Sequence, residues 1–154
     1  MAPYFLDTSA AVKRSVTELG SHWITALVDP AAGNECWLAS ITQIEALAAF
    51  YLLVRTGTLT LTQAQQAERL FRRELRTRYQ RVFFSSAIRN HAMRLVTMYP
   101  LRAYDAVRLA SALQVQRRNR AVGSPPFTLL SADRNLNRAA AAEGLLVDDP
   151  NQHP

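Results

Sequence analysis

The sequence predicts an α/β protein: a three-layer α/β/α sandwich around a central parallel sheet of about five strands, with Rossmann-like topology. Strands of three or four continuously apolar residues alternate with longer segments of helical period, the pattern of a sheet covered on both faces. No internal repeat, low-complexity tract or linker interrupts the alternation. At 154 residues the chain fits one domain, large enough to bury roughly two-thirds of its unfolded surface without staples. Residues 1–150 are expected to form that domain and 151–154 a short C-terminal tail.

The elements follow in order. Tyr4-Phe5-Leu6 reads as a buried strand, ended by Asp7-Thr8-Ser9, whose side chains can cap a helix beginning near Ala10. A second helix starts near Ser21, carries Trp23, Ile24 and Leu27 on one face, and stops at Asp29-Pro30. Cys36 to Ala39 is the second strand. Ser40 or Thr42 then opens a helix through Arg55, which Gly57 ends. Thr62 is the expected cap of a long helix reaching Tyr79, and Arg81-Val82-Phe83-Phe84 the third strand. A helix from Ala87 to Met98 stops at Pro100. The next, Arg102 to Asn119, sets Ala106, Val107, Ala110 and Leu113 on one apolar face. After the Pro125-Pro126 turn come a strand at Phe127–Leu130, a helix from Arg134 to Glu143, and a last strand at Leu145–Val147.

Composition narrows the classes. No apolar run approaches the ~18 residues of a membrane span, so no membrane role is expected. The opening Met1 to Asp7 lacks a basic leader, which argues against a signal peptide and makes the cytoplasm the expected compartment. The single cysteine, Cys36, excludes an internal disulfide and, lying in an apolar run, reads as a small core residue. Eighteen Lys and Arg against twelve Asp and Glu give a net charge of +6, which favours a polyanionic partner without naming one. His22, His91 and His153 show no spacing suited to metal or acid–base work.

Against that basic background four acids stand where strands hand over to helices: Asp7, Glu45, Asp105 and Asp133. Each has a modest reading. Asp7 and Asp133 can cap helices, Glu45 stands at capping-box distance from Thr42, and Asp105 suits the first turn of its helix. In a doubly covered parallel sheet, however, ligands bind beyond the carboxyl ends of the strands where strand order reverses, and Asp7 and Asp133 lie just past such ends. None of the four has an obvious basic neighbour placed to neutralise it. Brought together they would repel one another, and a divalent cation is the natural occupant of such a site.

Several segments resemble the PIN-domain family, and within it the VapC-type toxins of bacterial toxin–antitoxin pairs. They are Phe5-Leu6-Asp7-Thr8-Ser9-Ala10, Glu45 within Ile41 to Glu45, Leu101 to Ala112 with its core Tyr104-Asp105-Ala106-Val107-Arg108-Leu109-Ala110, and Leu130-Ser131-Ala132-Asp133. Lys13, Glu18-Leu19-Gly20-Ser21 and Gly144 extend the likeness over nearly the whole chain. The resemblance implies a metal-dependent ribonuclease with Asp7, Glu45, Asp105 and Asp133 as catalytic and metal-binding acids. It implies Mg²⁺ as the ion, with Mn²⁺ as the alternative. Ser131 matches a hydroxyl that often precedes the last acid, with Thr8 and Ser9 as supporting groups. Some relatives carry a further acid just after the fourth. Here Arg134, Asn135 and Asn137 follow instead, which puts a second metal in question. An RNA substrate, a cognate antitoxin seated in an apolar groove, and a homodimer are the implied partners.

Arg69, Arg72, Arg73 and Arg76 follow helical spacing and form a stripe able to grip phosphates in register; the alternative is a solvated helix face. Trp23, Trp37, Phe50 and Tyr51 are expected as core or interface anchors. Two other readings stand beside the toxin. One is a PIN nuclease serving RNA processing; the other is a non-catalytic nucleotide- or nucleic-acid-binding module. The second is opposed by isolated glycines that form no Gly-x-Gly-x-x-Gly or Gly-Lys-Ser/Thr loop.

Overall fold

The computed structural model describes all residues, Met1 to Pro154. Five parallel strands run through the centre: β1 (Pro3–Leu6), β2 (Glu35–Ala39), β3 (Tyr79–Val82), β4 (Thr128–Leu130) and β5 (Leu146–Asp148). Their spatial order is β3-β2-β1-β4-β5. The chain builds outward from β1 through β2 to β3, then returns to the other side of β1 for β4 and β5. The reversal therefore falls between β1 and β4, where Leu6 pairs with Leu130.

Seven helices cover the sheet: α1 (Thr8–Val12), α2 (Ser21–Val28), α3 (Thr42–Arg55), α4 (Leu61–Thr77), α5 (Ser86–Met98), α6 (Ala103–Ala121) and α7 (Arg134–Ala142). They divide into two layers because successive strand side chains point to opposite faces. Leu6, Leu38 and Leu130 pack with α1 to α4, around Ile24, Phe50 and Phe71. Phe5, Ala39 and Leu129 pack with α5 to α7, around Leu95, Leu109 and Leu136. Small residues line the α6 seam (Ala106, Ala110, Ala112), which lets that helix lie close against the sheet. No helix is long and apolar enough to cross a membrane.

Three details differ from the sequence expectation. The third strand is Tyr79–Val82 rather than Arg81–Phe84: Tyr79 and Val82 are its buried ends, whereas Phe83 and Phe84 run past the sheet and are exposed. The long helix is capped by Thr60, not Thr62, because Thr60 and Gln63 exchange both bonds of a capping box. The first helix begins at Thr8, since Asp7 alone is its cap. Beyond β5 the chain stays packed: Pro150 is buried, and His153 stacks on Trp23 with ring centroids 3.9 Å apart. Cys36 is buried in the core, where desolvation pushes its thiol up to about 11.

Candidate active site

Asp7 follows β1 at the strand-order reversal, and the fold fixes it on all sides. Its Oδ1 accepts the Ala10 N–H at 3.0 Å, capping α1, and the Ser9 hydroxyl at 2.6 Å. Its Oδ2 accepts the Ser131 hydroxyl at 2.6 Å. Ser131 directly follows β4 and accepts the Asp133 N–H at 3.0 Å, so one buried hydroxyl ties two acids across the crevice. Asp133 caps α7 through Oδ1 to the Leu136 N–H at 3.0 Å. Asp105 enters from the first turn of α6 and Glu45 from the first turn of α3. The capping box expected for Glu45 does not form. Ile41 is the cap, and the Thr42 hydroxyl is buried without a partner.

All four acids line one pocket of about 280 Å³, with Thr8, Ser9, Arg102, Tyr104 and Arg108. No basic side chain was expected beside the acids; the structure corrects that. Arg108 is buried, and its guanidinium reaches two of them at once: Nη2 and Nε meet Glu45, while Nη1 meets Asp105 Oδ1. Asp105 and Arg108 stand three residues apart on one helix, a spacing that brings side chains together. That spacing stands in the sequence, yet no basic partner was expected for Asp105. The third partner, Glu45, comes from another helix and was not legible. Arg102 and Tyr104, exposed at the mouth of the pocket, were also missed as site residues.

Electrostatics single out Asp7. It is 2% exposed and makes no ion pair. Burial raises its pKa above the ordinary carboxylate value, while hydrogen bonds from Ser131, Ser9 and Ala10 and the charge on Arg108 act in the other direction. Asp105 is raised too, first by burial. Arg108 opposes this, whereas Asp133 and Asp7 add to it, so these three carboxylates feel one another through the pocket. No three His, Cys, Asp or Glu side chains form a ready-made metal cage. Arg69, Arg72, Arg73 and Arg76 lie exposed on α4 and none lines the pocket; Arg72 pairs with Glu68 at 2.7 Å.

A parallel α/β/α sandwich that gathers acids at its strand-order reversal is a PIN-like domain. No family model matches the sequence. Two curated relatives, ribonuclease VapC45 of Mycobacterium tuberculosis (strain CDC 1551 / Oshkosh) and ribonuclease VapC49 of M. tuberculosis (strain ATCC 25618 / H37Rv), are each 34% identical over 144 residues, 93% of this chain and 92% of the relative. The chain belongs to the VapC ribonuclease family. Solved structures agree on the fold. PAE2754 from Pyrobaculum aerophilum has a TM-score of 0.64 at 16% identity, over 99% of this chain and 86% of that one. A toxin–antitoxin complex from Klebsiella pneumoniae gives 0.62 at 18%, over 96% and 97%. VapBC2 from Rickettsia felis, bound to a DNA fragment from its promoter, gives 0.61 at 16%, over 95% and 97%.

Proposed function

We propose that this protein is a divalent-metal-dependent endoribonuclease and the toxin of a toxin–antitoxin pair, with Asp7, Glu45, Asp105 and Asp133 as its working acids. One observation carries the reading: Asp7 is buried without an ion pair in the same pocket as Asp105 and Asp133. A buried carboxylate in that position is costly unless a positive group joins it. Membership of the VapC ribonucleases supplies the reaction class, and the toxin–antitoxin complexes among the structural neighbours support a protein antitoxin as partner.

The residues fit a hard cation. Carboxylate and hydroxyl oxygens are the donors Mg²⁺ and Mn²⁺ prefer. Thr8 lines the pocket with a buried hydroxyl that has no partner, as expected where a water or ligand completes the site. Such an ion, when bound, would polarise the phosphoryl oxygen and lower the pKa of the attacking water. The chain's own part is positional. Ser9, Ser131 and the Ala10 N–H hold the Asp7 oxygens in place, and Asp133 is fixed by the N-terminus of α7. Arg102 at the mouth offers a cation to an approaching phosphate. Thr8, Ser9 and Ser131 thus support the acids. The arginine stripe on α4 would contact only RNA extending well beyond the reacting phosphate. A cytoplasmic site of action and a homodimer complete the proposal.

The test is cleavage of varied RNAs by purified protein with and without Mg²⁺ or Mn²⁺, beside Asp7→Asn. Metal-dependent cleavage lost in the folded variant is expected. Wild-type turnover by Asp7→Asn would remove Asp7 from the mechanism.

A further inference from the structure

The acids of the pocket are not equivalent. Both oxygens of Glu45 are engaged by Arg108, through Nε at 3.3 Å and through Nη2. Asp105 gives Oδ1 to the same guanidinium, leaving Oδ2 open. Asp133 uses Oδ1 as a cap and likewise leaves Oδ2 open. Asp7 receives only hydroxyl and amide donors and contacts no cation directly. The guanidinium is planar, remains charged at any relevant pH, and matches carboxylates with two parallel bonds. It is buried, so solvent screening does little to loosen it.

We propose that Arg108 divides the pocket: it holds Glu45 away from any bound ion, so that a single cation, its shell completed by water, would face Asp7, Asp105 and Asp133. This rests on the metal-dependent reading above and narrows it. Arg108 is then a positioning residue with two effects. It fixes Asp105 with one oxygen turned to the metal. It also occupies, with its own charge, the space between Glu45 and Asp105 where a second cation would otherwise sit. The sequence agrees in one respect: Arg134, Asn135 and Asn137 follow the fourth acid, so α7 brings no additional carboxylate in its first turn.

Mn²⁺ titration of the purified protein, read by isothermal calorimetry and by the loss of the free-ion signal in electron paramagnetic resonance, tests this without reference to activity. Wild type is expected to bind one Mn²⁺ per chain. Asp133→Asn should weaken that binding by ~10-fold or more, the scale on which altering even groups around a metal acts. The double variant Glu45→Gln/Arg108→Gln removes one charge of each sign and keeps polar partners for each other. It should bind one ion within ~3-fold of wild type, under 1 kcal/mol by the usual relation. Arg108→Gln alone, which frees Glu45, should take up a second Mn²⁺. Loss of binding in the double variant comparable to that in Asp133→Asn would make Glu45 a ligand and overturn the inference. An Arg108→Gln protein that stays at one ion would do the same. If Arg108→Gln fails to fold without metal, the charge-balanced double variant still decides. A wild-type protein that binds no Mn²⁺ at all would instead overturn the metal-dependent reading itself.

Discussion

Ser131 offers a direct test of how the site is built. The residue is fully buried; its hydroxyl donates to Asp7 Oδ2 at 2.6 Å and accepts the Asp133 N–H at 3.0 Å. Ser131→Ala removes both bonds and leaves only the space of one oxygen, too small for a water to replace it. A hydrogen bond to a charged group contributes about 1.5–3 kcal/mol and a neutral one about 1 kcal/mol. Sharing one hydroxyl makes the two non-additive, so the expected loss is about 2–3 kcal/mol. In a domain of this size each kcal/mol lowers Tm by about 2–4 °C, which gives a fall of roughly 4–12 °C. Urea unfolding followed by circular dichroism, without metal at pH 8, should show a lower midpoint at unchanged m. In an Asp7→Asn background the same change should cost less, because the bond to charge is already gone; the double-mutant cycle isolates a coupling of about 1–2 kcal/mol. A Ser131→Ala protein within about 0.5 kcal/mol of wild type would refute the link between the two acids.

Other elements give sharper single outcomes. Glu74 is buried beside Arg14 at 2.7 Å, and desolvation raises its pKa above the ordinary 4.5 despite that partner. The folded state therefore holds its proton more tightly than the unfolded chain, and stability from this group falls as pH rises from about 4.5. Wild type should lose stability relative to Glu74→Gln between pH 4 and pH 8 in denaturant titrations; a difference constant with pH would contradict this. Gly20 has φ +82°, and an added Cβ would stand 2.2 Å from the Pro150 carbonyl oxygen. Gly20→Ala should cost about 2–4 kcal/mol by thermal melting, and a loss under 1 kcal/mol would mean the C-terminal turn yields freely. Cys36, with its thiol raised to about 11 by burial, should resist maleimide at neutral pH until the protein is unfolded. Rapid labelling of the native protein would show that the core around β2 opens.

The order of strands and helices was legible because short apolar stretches, clearest in β1, β2 and β4, alternate with longer segments of helical period. Errors arose where two signals overlapped. Phe83 and Phe84 look like strand residues, yet Tyr79 and Val82 are what the core needs, and the aromatic pair is left exposed beyond the sheet. Thr62 was the expected cap, but the reciprocal bonds of Thr60 with Gln63 start the helix earlier. The four acids were legible as a group because each lies at the start of a helix, a position sequence marks well. Their neutralisation was not. Arg108 meets Asp105 three residues away but Glu45 sixty-three residues away, and no local pattern encodes the second contact.

The structural roles of the acids are compatible with the function proposed for them. Asp7 and Asp133 do cap α1 and α7, and Asp105 and Glu45 do sit in first turns of α6 and α3. Four helix N-termini thus converge on the pocket, each favouring negative charge by about 0.3–1 kcal/mol. Together they offset a few kcal/mol, roughly the effect of two pKa units on one carboxylate. That is enough to hold each side chain in position before any ligand arrives, but well short of compensating four anions in a shared crevice. Arg108 supplies one further positive charge and spends it on Glu45 and Asp105. The charge left over belongs to Asp7 and Asp133, the two acids that flank the strand-order reversal and have no ion pair of their own. On the metal-dependent reading proposed above, a cation would compensate that charge there rather than around Glu45.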